Sequence, residues 1–162
     1  MISVFSSHYS TSFSRSILTL EKADEIKENS PVSICSIAQL HKLDKVFLID
    51  SSFSGFQEAY RNLTEIGVQL IFGIKIHVCD DVNEKTDKGR INDHKVYLIA
   101  KNKDGYKELI KVYSDAATEG FYYYPRLDWL QLNKITNNIE IWFAFYDGFV
   151  FNNLFNYGTS II

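Results

Sequence analysis

Cysteine is almost absent from this chain. Cys35 and Cys79 are the only two among 162 residues, and they do not form the C-x-x-C spacing of a zinc or redox pair. Such sparing use fits a reducing, cytosolic setting. Proline is as scarce, at two residues, so most of the chain is expected in regular elements with short connections. Positive charge is not in surplus: 17 Lys and Arg against 20 Asp and Glu leave a net charge of -3. A surface that holds nucleic acid unaided needs clustered cations to displace counterions, so autonomous nucleic-acid binding is not expected. No apolar run approaches the roughly 20 residues of a membrane span, and no basic start with an apolar core marks a secretory leader. The expectation is a cytoplasmic protein without membrane association. Glycine-rich phosphate loops are missing too, because Gly55 and Gly73 build neither G-x-G-x-x-G nor a P-loop. The serines of 6–16 lack the context of a nucleophile elbow.

What is present is apolar and aromatic mass. Hydrophobic residues make up 46% and aromatics 15%, enough to enclose a core in a single domain over residues 1–162. Residues 2–5 are a short β-branched start, followed by the serine-rich loop SSHYSTSFSRS. Residues 18–28 read as a helical turn or a solvated insertion closed by Pro31, and 32–43 as loosely helical. Val46-Phe47-Leu48-Ile49, ending at Asp50, has the continuous apolar character of a buried parallel strand. Next come a helix over 56–66 stopped by Gly67, a strand over 69–78 and a solvated loop over 80–93. A strand over 94–100 and an amphipathic helix over 104–117 follow. A strand over 139–145 and an aromatic helix or turn over 149–155 end the chain. The recurrence of strand and helix predicts an α/β fold of about five parallel strands with helices outside.

The run 94–132, HKVYLIAKNKDGYKELIKVYSDAATEGFYYYPRLDWLQL, is the most specific stretch. It carries Ala100-Lys101-Asn102, Gly105-Tyr106, Leu109, Thr118-Glu119-Gly120-Phe121-Tyr122-Tyr123 and Pro125-Arg126-Leu127-Asp128-Trp129. In order and spacing these elements resemble the PHP (polymerase and histidinol phosphatase) domain that opens bacterial DNA polymerase III alpha subunits. The resemblance implies a partial, truncated version of a distorted β/α barrel, since whole PHP domains are longer than this chain. An open barrel leaves an unpaired strand edge, which templates association. Self-association as a homo-oligomer, or a partner that completes the sheet, is therefore expected.

The resemblance also implies a centre of His, Asp, Glu and Cys that holds metal ions at the strand ends and activates water against a phosphoester. Here that centre is depleted. Ser6-Ser7-His8 matches an H-x-H pair and keeps only His8. Asp50-Ser51 matches an Asp-His pair and keeps only Asp50. Lys75 stands where a strand resembling I-I-G-C-E carries its glutamate, so an ammonium that repels cations replaces a carboxylate that attracts them. His94 is kept at the head of its strand. Asp147 is the carboxylate nearest to the later ligands, but its neighbours do not reproduce their motif. His8, Asp50 and His94 are thus the remnant ligands, a set able to hold one zinc or manganese ion, and Ser6, Ser51 and Lys75 are the degenerate positions. Lys75 also admits two other readings. With Arg15, Ser6, Ser7, Ser51 and Ser52 it would form an anion pocket suited to phosphate. Alternatively it pairs with Asp50, which needs fewer assumptions.

The expected function is a degenerate PHP-like module in DNA replication, structural or partner-binding, beside a replication protein or polymerase fragment, with no turnover and no cofactor. The alternative is a metal-dependent phosphoesterase or exonuclease working through His8, Asp50 and His94. A small stand-alone copy also suits a compact genome such as that of a phage. Phe121-Tyr122-Tyr123-Tyr124 reads as packing rather than as a base-stacking platform. The aromatics of 142–155 read as core or as a docking face, and His41 and His77 as ordinary surface or strand positions.

Overall fold

The structure, a computed structural model, describes residues 2–10, 16–22, 24–25, 31–90, 93–146 and 148–158. It divides into two compact units, Met1–Ile74 and Lys75–Ile162.

The first unit holds β1 (Val4–Phe5), α1 (Ile34–Leu40), β2 (Lys45–Asp50), α2 (Phe56–Glu65) and the opening half of β3 (Gln69–Cys79). Its strands are parallel, with Phe5 opposite Leu48 and Asp50 opposite Ile74. β2 reads as a nearly unbroken apolar run because Val46, Leu48 and Ile49 are all buried, against helices that bury Ile34, Cys35, Ala38, Ala59 and Leu63. Continuous apolar character of this kind is what parallel strands show when both faces are covered. Ser33 caps α1 by accepting from the Cys35 amide at 3.0 Å. Gly67, at φ +76°, ends α2 in the left-handed region that a side chain would resist. The sequence suggested a helical turn or solvated insertion over 18–28. Instead Thr19 bridges Ser33 in parallel, and Leu20 is fully buried with its carbonyl accepting from Asn62 Nδ2 at 2.8 Å. A single apolar residue with a buried carbonyl partner leaves no periodicity to read; residues 23 and 26–28 lie outside the described residues.

The second unit holds the rest of β3, α3 (Asp87–Arg90), β4 (His94–Ala100), α4 (Lys103–Thr118), β5 (Arg126–Asp128), α5 (Trp129–Leu132), β6 (Ile139–Phe143) and α6 (Phe149–Tyr157). Its strand path is β3-β4-β6, with β5 pairing parallel to β3 through His77 opposite Arg126. β6 runs antiparallel to β4, with Leu98 opposite Ile141. Among the described residues there are therefore six strands, one of them antiparallel to its neighbour, where about five parallel strands were expected. Strand direction is set by the connection and is not written in the local pattern. α4 packs on β4 and β6, and Leu109 and Ala116 of the helix are buried, as are Val96, Leu98 and Ile99 of β4. Its N-cap Asn102 accepts from the Gly105 amide at 2.8 Å, and Gly105 is obligatory there because a Cβ would meet the Asn138 carbonyl oxygen at 2.2 Å. No helix among the described residues is long and apolar enough to cross a membrane.

Candidate functional site

Asp50 ends β2 without solvent exposure, and a buried carboxylate demands donors. The parallel pairing of β1 with β2 carries the chain leaving Phe5 over the end of β2, and the donors come from there. Ser6 Oγ donates to Asp50 Oδ1 at 3.0 Å, the Ser7 amide to the same oxygen at 2.7 Å, and Ser7 Oγ to Oδ2 at 2.6 Å. Ser7 is itself fully buried. Behind this pair the Ser51 amide donates to Ser10 Oγ at 3.0 Å. Gly55 lets the loop lie close, since a Cβ there would stand 2.9 Å from the Tyr9 ring and 3.2 Å from Ser7 Oγ. The serine-rich loop is thus a collar of hydroxyls around one carboxylate.

The remaining candidates are placed differently. His8 is exposed, with Nδ1 3.3 Å from the Leu18 carbonyl and its ring 4.2 Å from that of Tyr9. Arg15 and Asp147 lie outside the described residues. Lys75 and His94 belong to the second unit, where Lys75 is half-buried within β3. His94 heads β4 and is 7% exposed. Its Nδ1 lies 3.3 Å from Asn152 Nδ2 of α6, and Phe149 meets the ring edge-on at 5.1 Å. Burial lowers its pKa below the usual 6.5, partly offset by the negative charge of Asp80. The neutral ring then accepts from Asn152 at Nδ1 and keeps its proton on Nε2.

The metal ions that the resemblance implies do not fit this donor set. Three donors use three of the roughly four lone-pair sites of the Asp50 carboxylate, and His94 faces the Asn152 donor with Nδ1; His8 donates from Nδ1 to the Leu18 carbonyl and keeps Nε2 free, one ligand where a metal site needs three or more. Among the described residues no three His, Cys, Asp or Glu side chains gather to hold a metal ion. A cleft of about 810 Å³ in the first unit is lined instead by Tyr9, Glu58, Arg61 and Glu65 along α2.

Sequence reasoning missed what Ser6, Ser7 and Ser10 do, because their partners are more than 40 residues away. It also missed Arg126. That side chain is fully buried in the second unit, where Nε donates to the Gly120 carbonyl at 3.1 Å and Nη2 to those of Val82 and Glu84 at 3.2 and 3.3 Å. Asp93 stands 3.8 Å from Nη1, and the Tyr122 ring lies 5.3 Å from Cζ. Tyr124 stacks on His77 at 3.9 Å, whereas Phe121 and Tyr123 are half-exposed. The aromatic segment is therefore half packing and half surface.

The family described as the PHP domain matches residues 27–157, a span that leaves out β1 and the serine collar. The chain is 31% identical over 110 residues to the DNA polymerase III subunit alpha of Borreliella burgdorferi, covering 65% of this chain and 10% of that protein. To its counterpart in Chlamydia pneumoniae it is 36% identical over 76 residues, covering 46% of this chain and 6% of that one. The same identity holds over 87 residues for the Aquifex aeolicus subunit, covering 49% and 8%. The chain thus spans a tenth or less of the length of these relatives.

Proposed function

The chain belongs to the PHP domain family, and from that premise we propose that it is a non-catalytic module of DNA replication, structural or partner-binding, related to the PHP domain of polymerase III alpha subunits. The observation that carries this reading is the occupied carboxylate: Ser6 and Ser7 supply Asp50 with three hydrogen bonds. Hydroxyl and amide dipoles, rather than a cation, are what the fold itself sets against this buried acid. The relation to polymerase III alpha supports a replication setting, and a partner would be a replication protein or a polymerase fragment. Two buried, unpaired thiols, Cys35 and Cys79, suit a reducing cytoplasm.

The test is direct. The purified chain is dialysed against manganese and zinc in turn, its metal content is measured by plasma mass spectrometry, and hydrolysis of a phosphomonoester, a phosphodiester and an oligonucleotide is followed. The expected result is substoichiometric metal and no turnover above that of the free ions. One equivalent of tightly held metal, together with turnover abolished by His94→Ala, would establish the phosphoesterase instead.

A further inference from the structure

In the second unit β6 is the last strand of the path β3-β4-β6, and among the described residues no strand lies beyond it. Its register fixes which way its peptide groups face. The Lys101 amide donates to the Asn138 carbonyl at 2.9 Å and the Ala144 amide to the Lys95 carbonyl at 3.3 Å. In an antiparallel ladder hydrogen-bonded pairs alternate, so Glu140 and Trp142 also turn their peptide groups toward β4. Those of Ile139, Ile141 and Phe143 then point outward. The Ile139 amide is used by the Thr136 carbonyl at 3.1 Å. The outer edge is left with the amides of Ile141 and Phe143 and the carbonyls of Ile139, Ile141 and Phe143.

We propose that this edge is the docking site for a second copy of the chain, through antiparallel pairing of two β6 strands about a two-fold axis at Ile141. The proposal goes beyond the reading above, adding a second copy of the chain to the replication partner named there.

The strand is self-complementary in the way a two-fold axis requires. With Ile141 opposite the partner's Ile141, Phe143 falls opposite the partner's Ile139 and Trp142 opposite the partner's Glu140. The residues opposite one another share a face. One face is then an unbroken apolar row of two Phe and four Ile side chains. The other sets each indole beside a carboxylate, a match already present within the chain, where Trp142 Nε1 donates to Glu140 Oε1 at 2.8 Å. The backbone matches as well. The two Ile141 residues exchange both hydrogen bonds, and each Phe143 amide donates to the partner's Ile139 carbonyl, which leaves the already engaged Ile139 amide unneeded. Exposure agrees with an edge that awaits cover, since Phe143 is 54% and the following Phe145 84% exposed. β6 carries neither lysine nor proline nor bulge, and its one charged side chain, Glu140, is the one this pairing sets beside the partner's indole.

The test uses the full chain in three forms. Light scattering across a hundredfold concentration series should take the wild type from the 18.7 kDa of one chain toward twice that mass. Phe143→Lys alters an exposed side chain twice per dimer, so it should weaken association by about tenfold or more while circular dichroism stays that of the wild type. Ile141→Cys, which meets its own copy on the axis, should form a reducible dimer under mild oxidant. The wild type should not, because Cys35 and Cys79 are buried. A wild type that stays monomeric throughout, a dimer indifferent to Phe143→Lys, or a dimer that Ile141→Cys fails to cross-link would each overturn the proposal. None of these results bears on metal content or turnover, so the non-catalytic reading is judged separately.

Discussion

Replacing Ser7 by alanine strikes the collar at its most buried point. Ser7 Oγ gives Asp50 Oδ2 its hydrogen bond, at 2.6 Å and out of reach of water. A hydrogen bond to a charged group contributes about 1.5–3 kcal/mol, and the methyl group of alanine leaves that oxygen in place without a donor. The same hydroxyl accepts from the Tyr9 amide at 3.2 Å, a part-buried bond that the substitution also removes. The net loss is therefore about 2–3 kcal/mol. With a urea dependence of about 2 kcal/mol per molar, the unfolding midpoint should fall by about 1–1.5 M. A double-mutant cycle with Asp50→Asn isolates the contact, and the coupling should be about 1–2 kcal/mol. Manganese and zinc should not restore the lost stability. A loss below about 0.5 kcal/mol, the range of an ordinary surface change, or a coupling of zero would refute the collar. Recovery with metal would show that the carboxylate still belongs to an ion.

Three further outcomes follow from the second unit and the thiols. Arg126→Met should cost about 3–5 kcal/mol, because it leaves three carbonyl oxygens without their donor and removes the guanidinium beside buried Asp93; thermal unfolding checks this, and Arg126→Lys, which cannot span the same acceptors, should recover only part. For His94, burial depresses the folded-state pKa below the 6.5 of the open chain, so below that pH the unfolded chain binds the extra proton first. The stability it contributes is present above pH 6.5 and is lost as pH falls toward the folded value, so a plot of melting temperature against pH should slope less in His94→Gln. Cys79, whose thiol burial pushes up to about 11, should resist iodoacetamide at pH 8 in the native protein and react fully in urea, as followed by intact mass.

The parts of the fold legible in the sequence are those where burial writes a long pattern. β2, β3 and β4 are apolar-rich runs with most of their residues buried, and α2 and α4 are long enough for a 3.6-residue period and have clear ends at Gly67 and Asn102. α5 is four residues long and offers no period, yet its capping box between Asp128 and Gln131 was a readable signal. β5 is three residues long, and its pairing with β3 is a tertiary fact. At the site, Asp50 was visible as the acid closing an apolar strand. The serines could be counted from the sequence, but their role depends on a parallel register that brings together residues 43 apart. Arg126 escaped notice because a lone arginine beside tyrosines looks like surface until its carbonyl partners are known.

Those partners have a consequence for how the chain tolerates change. Val82, Glu84 and Gly120 offer Arg126 only main-chain oxygens, and every residue type carries the same oxygen there. Spelling can therefore drift through the polar segment around Glu84 while the tether holds. Gly120 is the exception, since a Cβ there would run into the Arg126 carbonyl oxygen at 2.0 Å. In variant libraries the neighbours of Glu84 should accept nearly any letter, and Gly120 almost none.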